Sequence, residues 1–262
     1  MPTPATLILL PPSEGKAPGG GGPPWSQGTM ALPLDEQRQR VIDALSSVMR
    51  RSEATRAKLL GVKGTALAAA TDADRTIRTA STMPAIERYT GVLYEAMDTP
   101  SLSAAQRRRV HDSVLIVSGL WGAVSPADPI PDYKLKMGAS LPRLGKLSTW
   151  WRRDLSAAIA DRAAGRTVWN LLPNEHQAAW RAPEGLEQWA VRFVERRPDG
   201  SLIAVSHWNK LLKGALVRFL VAHPGAGPEG LEAWEHPLGY RHDPALDERQ
   251  GDTTIVSLVL RP

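Results

Sequence analysis

The chain contains no cysteine among its 262 residues. This absence excludes a disulfide framework, an iron–sulfur cluster, a thiolate zinc site and a catalytic cysteine. The six histidines are scattered and form neither an H-x-x-x-H nor an H-E-x-x-H pattern. The G-x-S-x-G spacing of a nucleophile elbow is also missing. We therefore expect no metal site and no cofactor.

Long hydrophobic runs are missing as well. No stretch approaches the roughly 20 consecutive apolar residues that a membrane-spanning helix needs. The first apolar run, Thr6 to Leu10, has no basic leader, is too short for a secretory signal and ends at Pro11-Pro12. We therefore expect a cytoplasmic protein without a membrane partner.

Positive charge exceeds negative charge only modestly. The net charge is +5 and the isoelectric point about 9.7, which favours an anionic partner but is also compatible with an ordinary solvated surface. Lysine is scarce, because arginine outnumbers it 24 to 8. Four of the eight lysines lie in segments where we expect a site, namely Lys16, Lys134, Lys210 and Lys213.

Short apolar runs alternate with stretches of helical periodicity, and a hairpin and a closing strand follow. This order predicts an α/β fold (mixed α+β) in which helices flank one mixed central sheet. We expect residues 1–262 to form a single domain, whose oligomeric state the sequence leaves open. The predicted strands cover residues 6–10, 114–117, 167–172, 191–195, 202–206 and 253–260, and the predicted helices cover residues 35–50, 52–60, 66–79, 84–88, 103–112, 144–164, 208–222 and 228–234.

Polar side chains follow three of the predicted strands. Ser13 and Lys16 come after the first strand, and Ser118 comes directly after the second. Asn174 and Glu175 come after the third. If these strands are adjacent and parallel, the side chains meet at the carboxyl ends of the strands, where open α/β sheets bind ligands. The segment PPSEGK lacks the spacing of a P-loop, so a nucleotide-binding P-loop is not predicted.

The segment 118–138 is long and irregular. We expect it to run over the surface, because a buried loop would leave backbone polar groups unpaired. Its apolar residues argue against disorder, and its end displays Tyr133, Lys134 and Lys136, an aromatic side chain beside two cations. These three residues are therefore candidates for an anion-binding site.

The predicted helix over residues 208–222 carries a basic edge. Lys210 and Lys213 lie on one face of it, with Arg218 nearby. A helix that begins at a strand end directs its N–H groups and dipole towards anions, and Lys210 in the first turn would strengthen that attraction. Residues 222–234 then read as helix, glycine-containing turn and helix, the pattern of a helix–hairpin–helix that contacts DNA phosphates.

Five segments of the chain, in order, resemble the peroxide stress protein YaaA family. They are LILLPPSEGK at the start, YTGVLYEAMD from Tyr89, SGLWGAVSPADPIPDYKLKMG from Ser118, NLLPNEH from Asn170 and SHWNKLLKGALVRFL from Ser206. The third segment is the most specific. The PPSEGK version departs from the P-A-K-T-L-type segment of other members, which leaves open whether Ser13 and Lys16 serve the same role throughout the family.

The resemblance implies a single-domain α/β fold with a positively charged cleft. It also implies protection from hydrogen peroxide through lower free iron and less oxidative DNA damage, and DNA binding by a helix–hairpin–helix-like element. Because clustered metal ligands are missing, we expect any effect on iron to be indirect. Carried over by position, Lys210, Lys213 and Arg218 match a basic helix of the family, and Tyr133 and Lys136 match its long loop.

Two functions remain open at this point, and no established reaction comes with the resemblance. In the first, the protein binds DNA with little sequence preference. Its anion-binding residues are then Lys16, Tyr133, Lys134, Lys136, Lys210, Lys213 and Arg218. In the second, the protein is an enzyme for a small anionic or nucleotide-like substrate, and a desolvated lysine acts as base or nucleophile. Its candidate catalytic residues are Ser13, Lys16, Tyr94, Ser118, Asn174, Glu175 and Lys210.

Overall fold

The computed structural model describes residues 5–205, 209–234, 236 and 238–260. The strands in these ranges are β1 (Ala5–Leu10), β2 (Met83–Pro84), β3 (Val114–Ser118), β4 (Gly122–Val124), β5 (Pro129–Ile130), β6 (Ser140–Leu141), β7 (Gly145–Lys146), β8 (Arg166–Asn170), β9 (Gln188–Arg196), β10 (Leu202–Ala204), β11 (Tyr240–His242), β12 (Glu248–Gln250) and β13 (Thr253–Leu260). The α-helices are α1 (Asp35–Met49), α2 (Glu53–Leu60), α3 (Gly64–Arg75), α4 (Ala85–Arg88), α5 (Val92–Met97), α6 (Ala104–Ser113), α7 (Leu147–Trp150), α8 (Arg152–Ala163), α9 (Asn174–Gln177) and α10 (Asn209–Ala222).

One large mixed sheet organises the fold. Within the described residues it has nine strands in the order β11-β13-β9-β8-β1-β3-β4, with β10 added to β9 and β12 added to β13. The inner strands β13, β9, β8, β1 and β3 run parallel, and the outer strands run antiparallel to their neighbours. Helices such as α6 and α8 pack against the inner strands. The predicted mixed α/β fold is therefore confirmed.

Strand β1 lies at the centre of this sheet, between β8 and β3. Residues 7–10 are at most 1% exposed, as expected for a parallel strand that is covered on both faces. Leu9 pairs with Asn170 of β8, and Leu10 pairs with Ile116 of β3, both in parallel register. The three strands that polar residues follow are thus adjacent and parallel. Their carboxyl ends form one edge of the sheet, which we call the carboxyl edge.

Two predicted helices differ from the structure. The predicted helix over residues 144–164 is interrupted, because Gly145 adopts a left-handed φ of 73° and residues 145–146 form β7. Helical structure starts only at Leu147. The predicted helix over residues 228–234 is a 3₁₀ helix over Pro228–Ala233. Residues 206–208, which include the predicted end of a hairpin strand and the predicted start of the late helix, lie outside the described residues.

None of the helices in the described ranges combines the length and the apolar character that a membrane-spanning segment requires.

The segment 118–138 is mostly buried, so the expectation that it runs over the surface is wrong. A buried loop needs hydrogen-bond partners for its main chain, and side chains supply them here. Arg38 of α1 is 0% exposed and donates from Nε to the carbonyl of Trp121 at 3.2 Å. Its Nη2 donates to the carbonyl of Ala123 at 3.0 Å. The guanidinium thus pairs loop carbonyls that water would otherwise have to solvate.

A second buried arginine fixes the same segment from another side. Arg88 ends α4, is 1% exposed and donates from Nε to the carbonyl of Ile130 at 3.2 Å. The same guanidinium donates to the carbonyls of Ala17 and Gly19. Arg88 therefore links the buried loop to the segment that follows β1.

The substitution Arg38→Met tests this account of the buried loop. Methionine keeps an unbranched side chain but leaves the carbonyls of Trp121 and Ala123 unpaired. We expect the free energy of unfolding to fall by about 3 kcal/mol in urea titrations. Arg40→Met is the matched control, because Arg40 lies exposed on the same helix in an ion pair with Glu36. This control should lower the free energy of unfolding by less than about 0.5 kcal/mol. Equal destabilisation in the two variants would rule out this role for Arg38.

Candidate functional site

Three hydroxyl groups form a buried chain at the carboxyl edge. The phenol oxygens of Tyr89 and Tyr133 lie 2.7 Å apart, and Tyr133 lies 2.7 Å from Ser118 Oγ. Ser118 Oγ also accepts hydrogen bonds from the main-chain N–H groups of Leu120 and Trp121, at 3.2 and 3.3 Å. These two donors occupy both lone pairs of the serine oxygen, so Ser118 donates its own hydrogen to Tyr133. We call Ser118, Tyr133 and Tyr89 the hydroxyl chain.

One hydrogen of the hydroxyl chain is only weakly held. The three hydroxyl groups carry three hydrogens, two short hydrogen bonds link them, and among the described residues a weaker contact between Tyr89 and Ser118 is what remains for the third hydrogen. Burial raises the pKa of Tyr133 to about 12 and raises the pKa of Tyr89 well above its ordinary value. Both phenols therefore stay protonated, and the weakly held hydrogen can donate to a ligand.

Lys16 lies against this chain. Its Nζ is 4.2 Å from the centre of the Tyr133 ring and 5.8 Å from that of Tyr89, a cation–π arrangement. Among the described residues, its hydrogen-bond partners are the main-chain oxygens of Ser13 and Glu14, at 3.4 and 3.5 Å. Burial lowers the pKa of Lys16 to about 8. Part of this amine is therefore neutral slightly above neutral pH.

Asp74 joins Lys16 and the hydroxyl chain at the carboxyl edge, although it was not among the residues predicted from the sequence. This carboxyl group of α3 is 1% exposed. Its Oδ1 accepts the main-chain N–H of Lys134 at 2.8 Å, whereas its Oδ2 has no hydrogen-bond partner in the described part of the chain. Burial raises its pKa to about 8, against the opposing effects of the Lys134 N–H and the Lys16 charge. A sequence signal was present, because Asp74 continues a stripe of buried residues on α3 that includes Leu67 and Ala70.

Lys134 and Lys136 share one carboxylate. Glu14 Oε2 lies 2.9 Å from Lys134 Nζ, and Glu14 Oε1 lies 3.3 Å from Lys136 Nζ. The hydrogen bond from Lys134, assisted by the charges of both lysines, lowers the pKa of Glu14 below its ordinary value. The Glu14 side chain is 65% exposed, so these contacts are weak and an external anion can replace them.

A groove of about 470 Å³ opens beside these lysines, and most of its lining was not predicted from the sequence. Arg51, Lys58 and Lys136 line it, together with the single carboxylate of Glu175. All four residues are exposed. We call this feature, which lies between α2 and the end of the loop, the basic groove. Arg51 and Lys58 carried no local signal, because their proximity to Lys136 arises only in the folded chain.

The basic residues of α10 do not share one location. Lys213 Nζ donates to the carbonyl of Leu171 at 2.8 Å, which places it near the end of β8, and burial lowers its pKa to about 8. Arg218 instead donates to Ser101 Oγ at 2.8 Å and lies 3.7 Å from Asp98, against the segment after α5. Lys210 is exposed and forms no hydrogen bond or ion pair within the described ranges.

The remaining candidate residues differ in their burial and in the segments that they contact. Tyr94 donates from its hydroxyl to the carbonyl of Pro11 at 2.8 Å and so holds the segment that follows β1. Ser13 lies on that segment, partly exposed, close to Gly91. Asn174 is exposed at the start of α9, next to Glu175 of the basic groove. Ser118 is the most deeply placed of these residues, at 0% exposure.

The turn after α10 is bound to two inner strands of the sheet, β1 and β8. The main-chain N–H of Gly225 donates to Thr6 Oγ1 at 3.2 Å, and Thr6 lies near the start of β1. The carbonyl of Ala226 accepts from Trp169 Nε1 at 3.2 Å. The turn is therefore bound to the body of the protein, and its residues are not among those that line the basic groove.

Comparisons with a family model and with known proteins each match most of the chain. A family model described as peroxide stress protein YaaA matches residues 6–246. A UPF0246 protein of Streptomyces coelicolor is 40% identical over 225 residues, which cover 86% of this chain and 85% of that protein. A UPF0246 protein of Corynebacterium glutamicum is 36% identical over 219 residues, covering 82% and 84%. Another, from Corynebacterium efficiens, is 34% identical over 221 residues, covering 83% and 86%.

The raised pKa of Asp74 predicts a distinct pH dependence of stability. Between about pH 4 and pH 8 the folded protein keeps a proton on Asp74 that the unfolded chain has released, so the contribution of Asp74 to stability falls as the pH rises. The unfolding free energy of Asp74→Asn, relative to that of the original protein, should therefore increase by at least about 2 kcal/mol across this window. Denaturant titrations of both proteins at several pH values measure this difference in unfolding free energy.

Asp72→Asn provides the matched control, since the Asp72 side chain is 77% exposed on the same helix. This variant should show no such change with pH. Parallel pH profiles for Asp74→Asn and the original protein would disprove the assignment of a buried, protonated Asp74.

Proposed function

Because the chain belongs to the peroxide stress protein YaaA family, we propose that it acts against hydrogen peroxide in the cytoplasm by binding DNA with little sequence preference. The observation that carries this proposal is the excess of exposed cations in the basic groove, where Arg51, Lys58 and Lys136 outnumber the carboxylate of Glu175. Exposed cations bind DNA phosphates and release counterions, a process that needs no particular base sequence.

The charges around the groove support an anionic partner. Arg51 and Lys58 form no ion pair within the described part of the chain. Glu14 can neutralise only one of the two ammonium charges of Lys134 and Lys136. The exposed cations of the basic groove therefore lie next to a second pair of lysines whose charge is only partly neutralised. The proposal does not need Lys213 or Arg218, whose side chains already have partners in the protein.

The salt dependence of DNA binding tests this proposal. Fluorescence anisotropy with a short labelled duplex, between about 50 and 200 mM salt, should show affinity falling steeply with salt. Lys58→Ala and Lys136→Ala should each weaken binding and reduce the slope of log affinity against log salt by about 0.9 for each phosphate that no longer meets a cation. Arg249→Ala is the control, since Arg249 is an exposed arginine on β12, at a different part of the sheet.

Affinity that stays flat over this salt range would overturn the proposal. So would an equal loss of affinity in Arg249→Ala and in the two groove variants, because only net charge would then matter. Shuffled duplex sequences should bind within about threefold of one another if phosphates rather than bases are recognised.

Glu14 should compete with DNA for Lys134 and Lys136. The substitution Glu14→Gln removes the competing charge and should tighten DNA binding about threefold to fivefold at low salt. Glu36→Gln makes the same charge change on an exposed residue at the start of α1 and should have a smaller effect. If both variants tighten binding equally, or Glu14→Gln leaves it unchanged, competition by Glu14 is disproved.

A second function, catalysis on a small anionic molecule, is favoured by a separate observation. Lys16, the unpaired oxygen of Asp74 and the hydroxyl chain lie together at the carboxyl edge, and phosphate binding on the surface uses none of them. Buried groups of this kind are costly to stability, and such groups are concentrated at active sites. This cluster can coexist with the basic groove in one protein.

A further inference from the structure

The cluster around Lys16 contains the three groups that carbonyl chemistry with an amine requires. The amine is Lys16 Nζ, which contacts an aromatic ring and two main-chain oxygens and has no carboxylate within hydrogen-bond distance among the described residues. The proton carrier is Asp74, which is buried and has an unpaired Oδ2. The donor for a developing oxyanion is the weakly held phenol hydrogen of the hydroxyl chain, which belongs to Tyr89 or Tyr133.

We propose that Lys16 is a nucleophile that forms an imine with a small aldehyde or 2-oxo acid carrying a carboxylate. This activity goes beyond DNA binding, and it gives the second candidate function a reaction and a substrate class. The carboxylate of the substrate would take the place of Glu14 between Lys134 and Lys136, two ammonium groups that already hold a carboxylate. Lys16 Nζ lies over the ring of Tyr133, the residue that precedes Lys134, and Asp74 accepts the main-chain N–H of Lys134. The charges of Asp132, Lys134 and Asp74 all act on the Lys16 amine.

The proposed reaction needs no oxidant or reductant. The neutral amine of Lys16 attacks the carbonyl carbon, the C–N bond forms as the C–O π bond breaks, and a phenol hydrogen of the hydroxyl chain stabilises the negative charge on oxygen. Protonated Asp74 gives its proton to this oxygen, and its carboxylate then takes a proton from the nitrogen, which gives a carbinolamine and restores the acid. Asp74 next protonates the hydroxyl, which leaves as water, and its carboxylate accepts the remaining proton of the iminium nitrogen, which gives the imine. The products are the imine and one water molecule, in balance with one amine and one carbonyl.

Lys213 is an internal control for the reactivity of Lys16. Burial lowers the pKa of both lysines to about 8, so both hold similar fractions of neutral amine at a given pH. Lys213 Nζ, however, donates to the carbonyl of Leu171, and among the described residues neither an aromatic ring nor a charged group acts on it as they do on Lys16. Lys213 therefore tests whether a buried lysine of lowered pKa reacts without the carboxyl and phenol groups that surround Lys16.

Reductive trapping tests the proposal. The full-length protein is incubated with glyoxylate and cyanoborohydride near pH 8, and the modified lysines are located and quantified by peptide mass spectrometry. Lys16 should be modified at least about tenfold faster than Lys213. Lys16→Arg should abolish the major modification, and Asp74→Asn should slow trapping at Lys16 by about 100-fold. Circular dichroism verifies that each variant is folded.

Two further comparisons make the test decisive. Acetaldehyde lacks a carboxylate and should modify Lys16 more slowly than glyoxylate does. Equal modification of Lys16 and Lys213, or no modification of Lys16 in the folded protein, overturns the proposal. Equal rates with both aldehydes overturn the part assigned to Lys134 and Lys136. These outcomes are independent of DNA affinity, so the failure of one proposal leaves the other standing.

Discussion

Two buried guanidinium groups pair three carbonyl groups of the segment 118–138, and this pairing helps to hold the segment against the carboxyl edge. Arg38 reaches the segment from α1, and Arg88 reaches it from the end of α4. A segment whose regular structure is limited to the short strands β4 and β5 can be buried only when the rest of its main chain has such partners. The loop then delivers Tyr133 to within 2.7 Å of Ser118 and carries Lys134 and Lys136 to Glu14.

The carboxyl edge combines two electrostatic environments. Deep in the protein, Lys16 and Asp74 lie near each other without forming a direct ion pair. Burial lowers the pKa of Lys16 and raises the pKa of Asp74, so it favours the neutral form of both groups. Towards solvent, Lys136 joins Arg51 and Lys58 in a groove where cations are in excess. The inner pair suits chemistry on a small molecule, and the outer groove suits the repeated charges of a nucleic acid. One edge of the sheet can serve both, because its inner and outer groups are different residues.

The sequence predicted the strands and their polar ends well, because short apolar runs that stop at Ser118 or before Pro11 have few alternatives in a compact α/β fold. It could not predict that the loop is buried, since Arg38 looks like any other arginine on a helix of an arginine-rich chain. Asp74 was detectable in principle from the buried stripe of α3. The proximity of Lys58 to the loop was not detectable, because it is a product of tertiary packing.

The proposed DNA binding requires that folding gathers the cations of the loop and of α2 into one surface. Lysine acetylation followed by mass spectrometry, with and without a DNA duplex, shows which ammonium groups the DNA covers. We expect DNA to protect Lys58, Lys134 and Lys136, while Lys210 keeps its reactivity. Unchanged reactivity at those three lysines, with protection at Lys210 instead, would refute DNA binding at the basic groove.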